Sequence, residues 1–185
     1  MSRPVYLRPW RIDVTVRDGV RVPVPIVRLA RAIRAAFDAA GAPRPASIGL
    51  ILGDDRELAA LNTRHFGHRG PTDVLSFPLL PPEAFPAHEG RAAGSSPGAS
   101  YSAPSFPLPP GRRPHLGDIV VSVERALEQA RAGRGGQTGD VRWLPGDELR
   151  LLVTHGALHI CGWDHAEPAE EAAMRALERL LLDQA

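Results

Sequence analysis

Seven histidines are spread over the 185 residues, and three of them share one eleven-residue window, HGALHICGWDH, from His155 to His165. His155 and His159 are four apart, so on a helix they stand one turn above each other on the same face. Gly162 tolerates the positive φ of a sharp reversal, which lets His165 swing back toward the first two. Three imidazoles with an open fourth corner form the donor set of a catalytic zinc site, where bound water is acidified to a pKa of about 7. The spacing therefore predicts His155, His159 and His165 as the ligands of one Zn²⁺. Neutral imidazole also suits Ni, Co, Mn or Fe, so donor type alone leaves the ion open. The plain alternative is three unrelated histidines at a helix end, and the third ring after a glycine turn weighs against it.

The spacing His-x₃-His-x₂-Gly-x₂-His is similar to that of the metzincin proteases in every ligand and in the turn glycine. Those enzymes carry a Glu directly after the first His as general base; here Gly156 stands there and cannot accept a proton. Asp164, beside His165, is a candidate base or a partner that orients an imidazole. Zinc-type ligation without the protease base favours a substrate for which metal-held water and charge neutralisation do most of the work, such as a phosphodiester. Cys161 reads as a packing thiol rather than a fourth ligand. Asp73 and Asp118 read as buried carboxylates bonding backbone amides. Ser76 reads as a small strand residue, Trp163 as packing, Met174 as core, and His65 and His68 as solvated.

The elements that must position these residues follow from periodicity. Trp10, Ile12, Val14 and Val16 alternate with polar residues, a strand pattern. Ile26, Leu29, Ala30, Ile33 and Phe37 share a helical face that ends at Gly41. Residues 46–52 read as a short buried strand, and Asp54 with Glu57 as a capping box opening a helix. Residues 72–77 read as a strand, and 116–122 as a strand with the near-continuous apolar run of one covered on both faces. Ser122 is placed to cap the next helix, and Asp147 the helix that carries His155 and His159. A last amphipathic helix follows Pro168. The predicted fold is α/β (α+β), a small mixed sheet of about four strands packed with helices, with the histidines at a helix end.

The domain prediction is one unit over 1–185 with an insertion at 78–114. Of those 37 residues ten are Pro, four Gly and five Ser, a composition that buries little apolar surface and predicts a mobile surface segment. A Gly-rich connector is expected from Gly133 to Gly146. The 22 basic residues, all Arg, nearly balance 21 acidic ones, so no bulk nucleic-acid charge is visible. Arg3, Arg8, Arg11, Arg17, Arg21, Arg28, Arg31 and Arg34 crowd the start and would form an RNA-binding groove if they shared a face near the metal. One Cys excludes a disulfide framework and a Cys-only zinc site. No apolar run reaches the roughly 18–20 residues of a membrane span, and the opening MSRPVYLRPWRID, without an apolar stretch, is not expected to be a secretory signal. The expectation is a soluble, cytoplasmic protein.

PTDVLSFP, LGDIVVS and HGALHICGWDH, in chain order after Leu61, resemble the bacterial YbeY family. The resemblance implies a zinc-dependent, single-strand-specific endoribonuclease in 16S rRNA 3′-end maturation and ribosome quality control. It also implies His155, His159 and His165 as metal ligands. The implied partners are single-stranded RNA, the 16S rRNA precursor and the small ribosomal subunit, with neither membrane nor DNA. Where the family pattern before PTD reads like LNxxYRGK, this chain has LNTRHFGHRG, with Phe66 at the Arg position. Arg64, His68 or Arg69 could supply the charge from next door. Two competing functions stay open, a zinc metalloprotease-like hydrolase and a non-catalytic ribosome-assembly factor with structural zinc.

Overall fold

The computed structural model describes residues 2–89, 113–133 and 144–183. Its strands are β1 (Ser2–Leu7), β2 (Trp10–Val16), β3 (Ala46–Gly53), β4 (Val74–Pro78) and β5 (His115–Ser122). The helices are α1 (Ile26–Ala39), α2 (Asp55–Phe66), α3 (Val123–Arg131), α4 (Pro145–Ile160) and α5 (Pro168–Asp183), with a 3₁₀ turn at Pro82–Ala84. The strands form one mixed sheet in the order β1-β2-β3-β5-β4. β3 runs parallel to β2 and β5, while β1 and β4 are antiparallel edge strands. This is the predicted mixed-sheet α/β architecture with one strand more than expected. β1 escaped notice because SRPVYL has no period-two apolar pattern. Its Pro4 is tolerated because an edge strand can forgo a ladder donor.

β5 shows why a continuous apolar run suits a covered strand. Ile119 and Val121 enter the main core, whereas Val120 joins a smaller cluster with Leu58 of α2 and Leu75 of β4. The sheet is thus covered on both faces, by α2 on one and by α1 and α4 on the other. α4 is the central helix, in contact with β4, β5, α1, α3 and α5. Leu149, Val153, Ala157, Leu158 and Ile160 are fully buried; burying each large aliphatic side chain stabilises by about 1.5–3 kcal/mol. That density of apolar contact holds the frame on which His155 and His159 stand.

Local capping follows the sequence with two differences. The Asp54 side chain accepts from Glu57 N at 2.8 Å, but the return half of the expected capping box is absent. Glu57 turns its carboxylate instead to Arg17, whose Nε lies at 2.9 and 3.0 Å. α4 starts at Pro145, before the expected cap Asp147; Asp147 reaches back to accept from Leu144 N at 3.1 Å. Pro is well suited to a first helical position because its missing N–H would have no partner there. Ser122 caps α3 as expected, accepting from Arg125 N at 3.1 Å.

Within the stretch 78–114, residues 78–89 pack onto the domain. Phe85 is buried in the main core, and His88 stacks on Trp163 at 3.9 Å between ring centroids. Residues 90–112, the bulk of the expected mobile insertion, and 134–143 of the expected connector lie outside the described residues. Among the described residues no helix is long and apolar enough to cross a membrane.

Candidate metal centre and its cleft

α4 places His155 and His159 on one face, one turn apart, and ends at Ile160. Gly162 then adopts φ +81°, where a Cβ would also press on Pro82 at 3.0 Å. The reversal is closed by Gly162 N to His159 O at 3.0 Å and Trp163 N to Leu158 O at 3.1 Å. The chain so turned carries His165 back over the helix end. The structure brings the three predicted histidines together: one ring nitrogen from each falls within 4.8 Å of the others. Ring centroids are 4.5 Å apart for His155 and His159, 5.0 Å for His159 and His165, and 5.6 Å for His155 and His165. The three could hold a metal ion, and no carboxylate or thiol joins the group among the described residues.

Two features bear on how these rings present their nitrogens. Glu178 Oε1 lies 2.6 Å from His155 Nδ1, and its carboxylate is 3% exposed. An ionised carboxylate accepts the Nδ1 proton and leaves Nε2 as the lone-pair nitrogen, turned toward His159 Nε2 at 3.0 Å. Burial, reinforced by the neighbouring His155 and His165, pushes His159 down to about 4, so its ring is uncharged at neutral pH.

His165, on the turn rather than on a helix, is held through its neighbour. Asp164 Oδ1 accepts from His165 N at 2.7 Å, and Asp164 N donates to Glu170 Oε1 at 2.9 Å. His88 Nε2 lies 2.7 Å from the same Glu170 oxygen. Glu170 is buried, and with His88 it ties the first part of the 78–114 stretch to the turn.

Sequence reasoning missed Glu178, Glu170 and His88. A signal for the first two was present: Glu170, Met174, Glu178 and Leu181 fall on one face of α5, and all are buried. Two carboxylates on an apolar helical stripe require partners. His88 had no comparable signal, because nothing local ties residue 88 to residue 163 or 170.

The other candidates take ordinary places. Cys161 is buried in the core, and burial pushes its thiol up, away from the thiolate that metal ligation requires. Asp73 accepts from Val74 N and from Gln129 Nε2, each at 2.9 Å. Asp73 and Asp118 both depart from the expectation of a buried residue: Asp73 is part-buried, and Asp118 is half-exposed and contacts His115 Nε2 at 3.1 Å. Ser76 Oγ donates to Gly156 O at 3.1 Å. Trp163 packs on His88, Met174 is core, and His65 and His68 are exposed. At Gly156 a Cβ would meet Ile119 Cγ2 at 2.8 Å, so this position faces the sheet and has no room for a general base.

A cleft of about 620 Å³ opens over the three histidines, bordered by Asn62, Phe66, His68, Ser76 and Trp163. None of the eight early arginines lines it. Arg11, Arg17 and Arg34 are instead paired with Asp13, Glu57 and Asp38. The condition for an RNA-binding groove is not met here, because β1 and β2 form the side of the sheet opposite β4. A second cavity of about 440 Å³ shares His155 and His165 but carries Glu148, Glu171 and Glu178, a wall that repels polyanions.

A mixed-sheet α/β frame carrying three converging imidazoles in an open cleft defines a candidate site that could hold a metal ion. The family profile described as Endoribonuclease YbeY matches residues 22–185, and the chain belongs to that family. The chain is 38% identical to the Endoribonuclease YbeY of Thermobifida fusca over 92% of its own length and 91% of that protein's. It is 40% identical to that of Salinispora tropica over 80% of each. The Mycobacterium tuberculosis relative is 36% identical over 94% of this chain and 82% of its own. The fold is similar to the solution structure of TM1509 from Thermotoga maritima, with TM-score 0.50, 18% identity and coverage of 92% and 90%.

Proposed function

We propose that this chain is a zinc-dependent endoribonuclease that cuts single-stranded RNA. Its place is the cytoplasm, in maturation of the 16S rRNA 3′ end and in ribosome quality control, with the small ribosomal subunit as partner. His155, His159 and His165 are the ligands. The observation that carries the reading is the convergence of these three rings in an open cleft, in a chain of the endoribonuclease YbeY family.

The donor set fits the ion. Nitrogen ligands about 2.0–2.1 Å from a tetrahedral zinc stand roughly 3.3 Å apart, and the His155 and His159 Nε2 atoms are 3.0 Å apart. When bound, zinc supplies an activated water and neutralises charge building on a phosphate oxygen. The chain's own residues do the rest. Glu178 holds the proton on His155 Nδ1, and Glu170 holds the turn beneath His165. His68 borders the cleft, and Arg64 and Arg69, close to it in sequence and exposed, are available to phosphate oxygens. A protease reading would need a base after the first ligand, where packing against Ile119 forbids a side chain.

The test is elemental analysis of purified protein beside a single-stranded RNA cleavage assay, comparing the natural protein with His159→Ala. We expect about one zinc per chain and cleavage by the natural protein. In the variant we expect loss of metal and a fall in cleavage of a hundredfold or more, beyond the roughly 10–100-fold cost of losing a ligand's supporting partner. Casein cleavage with no action on RNA would replace this reading with the protease. Ligand variants that merely unfold, beside a folded natural protein without turnover, would replace it with a structural zinc.

A further inference from the structure

Phe66 is 48% exposed, and of the large apolar side chains left in solvent among the described residues it is the one that borders the three-histidine cleft. A lone exposed Phe on an ordinary surface needs no explanation; three observations set this one apart. Its ring is backed on one side by Phe77, at 5.9 Å between centroids, and Phe77 is in turn braced edge-on by His65 at 5.2 Å. An exposed ring supported from behind keeps one π-face available. The following loop is pinned to α2: Thr63 Oγ1 donates to His68 O at 3.0 Å, and Asn62 Nδ2 donates to Gly70 O at 3.1 Å. Gly67 caps the helix at φ +71° and starts that loop. Finally, Arg64 and Arg69 flank the ring in sequence, are exposed, and form no ion pair among the described residues.

Aromatic faces interleaved with free cations are how proteins grip unpaired nucleic acid: bases stack on the ring while phosphates meet the charges. We propose that Phe66 is a base-stacking platform at the mouth of the cleft. It would take an unpaired nucleobase of single-stranded RNA while Arg64 and Arg69 hold the neighbouring phosphates. This rests on the reading of the cleft as an RNA-cleaving site and adds how the strand is seated. Stacking needs a base freed from its partner, so the platform selects single strands over duplex. Every base has a π-face, so the selection is by strandedness and not by sequence.

The experiment uses the zinc-loaded full chain and measures two quantities for the natural protein, Phe66→Ala, Phe66→Leu and Phe66→Trp. One is cleavage of single-stranded RNA. The other is binding of a fluorescently labelled 2′-O-methyl single strand, which keeps bases and phosphates. Circular dichroism checks that each variant is folded, as expected at a half-exposed position. Phe66→Ala and Phe66→Leu should each bind about tenfold more weakly, within the span of one aromatic stack, and raise KM more than they lower kcat. Phe66→Trp should stay within about twofold of the natural protein. In strands made abasic at one nucleotide at a time, one position should weaken the natural protein about tenfold and leave Phe66→Ala unchanged. A plain structural role for Phe66 would not produce that loss of coupling.

Cleavage of RNA by the natural protein with Phe66→Ala unaffected would overturn the platform and leave the nuclease reading intact. Equal behaviour of Phe66→Leu and Phe66→Trp would reduce it to simple apolar contact and overturn stacking. A natural protein that neither binds nor cuts single-stranded RNA would sink both, as would a Phe66→Ala defect confined to casein.

Discussion

His155 and His115 each place a ring nitrogen against a carboxylate, at 2.6 Å from Glu178 and 3.1 Å from Asp118. The chemistry is the same and the surroundings are not. Glu178 is 3% exposed, on the buried face of α5, whereas the His115 and Asp118 side chains keep 35% and 43% of their surface in solvent on β5. Burial of Glu178 makes an unpaired state expensive, so the contact fixes which nitrogen of His155 carries the proton and which faces His159. Water competes for both members of the strand pair, so that contact imposes little. The lesson is that a carboxylate orients an imidazole when it has nowhere else to turn. The pair His88–Glu170, with both side chains 8% exposed, belongs with the first case although neither residue is a ligand candidate.

The comparison is tested hardest at Glu178. Glu178→Ala should weaken zinc binding by about 10–100-fold, the cost of removing the partner that orients a metal-binding imidazole. Glu178→Gln retains a carbonyl oxygen that can accept from Nδ1–H, so it should recover most of the loss. Competition with a calibrated chelator reads both. If alanine and glutamine variants bind zinc as the natural protein does, burial of the carboxylate is unrelated to the site.

Glu170 should come next. Its removal strands Asp164 N–H and His88 Nε2 at once; the lost partner at the buried His88 costs about 1–3 kcal/mol, whereas the exposed Asp164 can turn to water. For a chain of this size 1 kcal/mol moves Tm by about 2–4 °C, so Glu170→Ala should lower Tm by at least about 2 °C. Because the turn carries His165, zinc affinity should fall several-fold as well. His88→Ala removes one of the two contacts and the stack on Trp163, and should show the same two effects at smaller size. A Tm loss in Glu170→Ala with unaltered zinc affinity would separate this pair from the metal centre and break its grouping with His155–Glu178.

Legibility in the sequence tracked the same divide between local and distant contacts. The three histidines were readable because helical spacing and a glycine turn are local facts, and so were the strand at 46–52 and the Ser122 cap. Glu178 was not, since it lies 23 residues from His155 and only the docking of α5 joins them. Nor was the position of the early arginines, which depends on strand order: a sequence shows that β2 is a strand, not that two strands separate β1 from β5 and three separate it from β4 in the sheet. Residues 78–89 show what composition leaves out. Proline argues against regular ladders, but Pro82 and Phe85 pack without one, against Gly162 and in the core.

Asp118→Asn should have the smallest effect, and its pH dependence is what identifies it. The hydrogen bond to Asp118 raises the His115 imidazole above its ordinary 6.5, partly opposed by burial. A group whose pKa is higher folded than unfolded stabilises most below the unfolded value, and that contribution fades as pH rises through the folded one. The variant should therefore be less stable than the natural protein near pH 5.5, with the gap closing by about pH 8.5. Both side chains are more than a third exposed, so screening keeps the difference within about 1 kcal/mol, or roughly 2–4 °C in Tm. Zinc affinity should not change, because neither residue borders the three-histidine cleft. A gap that widened with pH, or a fall in zinc binding, would mean that the strand pair carries more than its exposure allows, and exposure would no longer separate the two kinds of histidine–carboxylate contact.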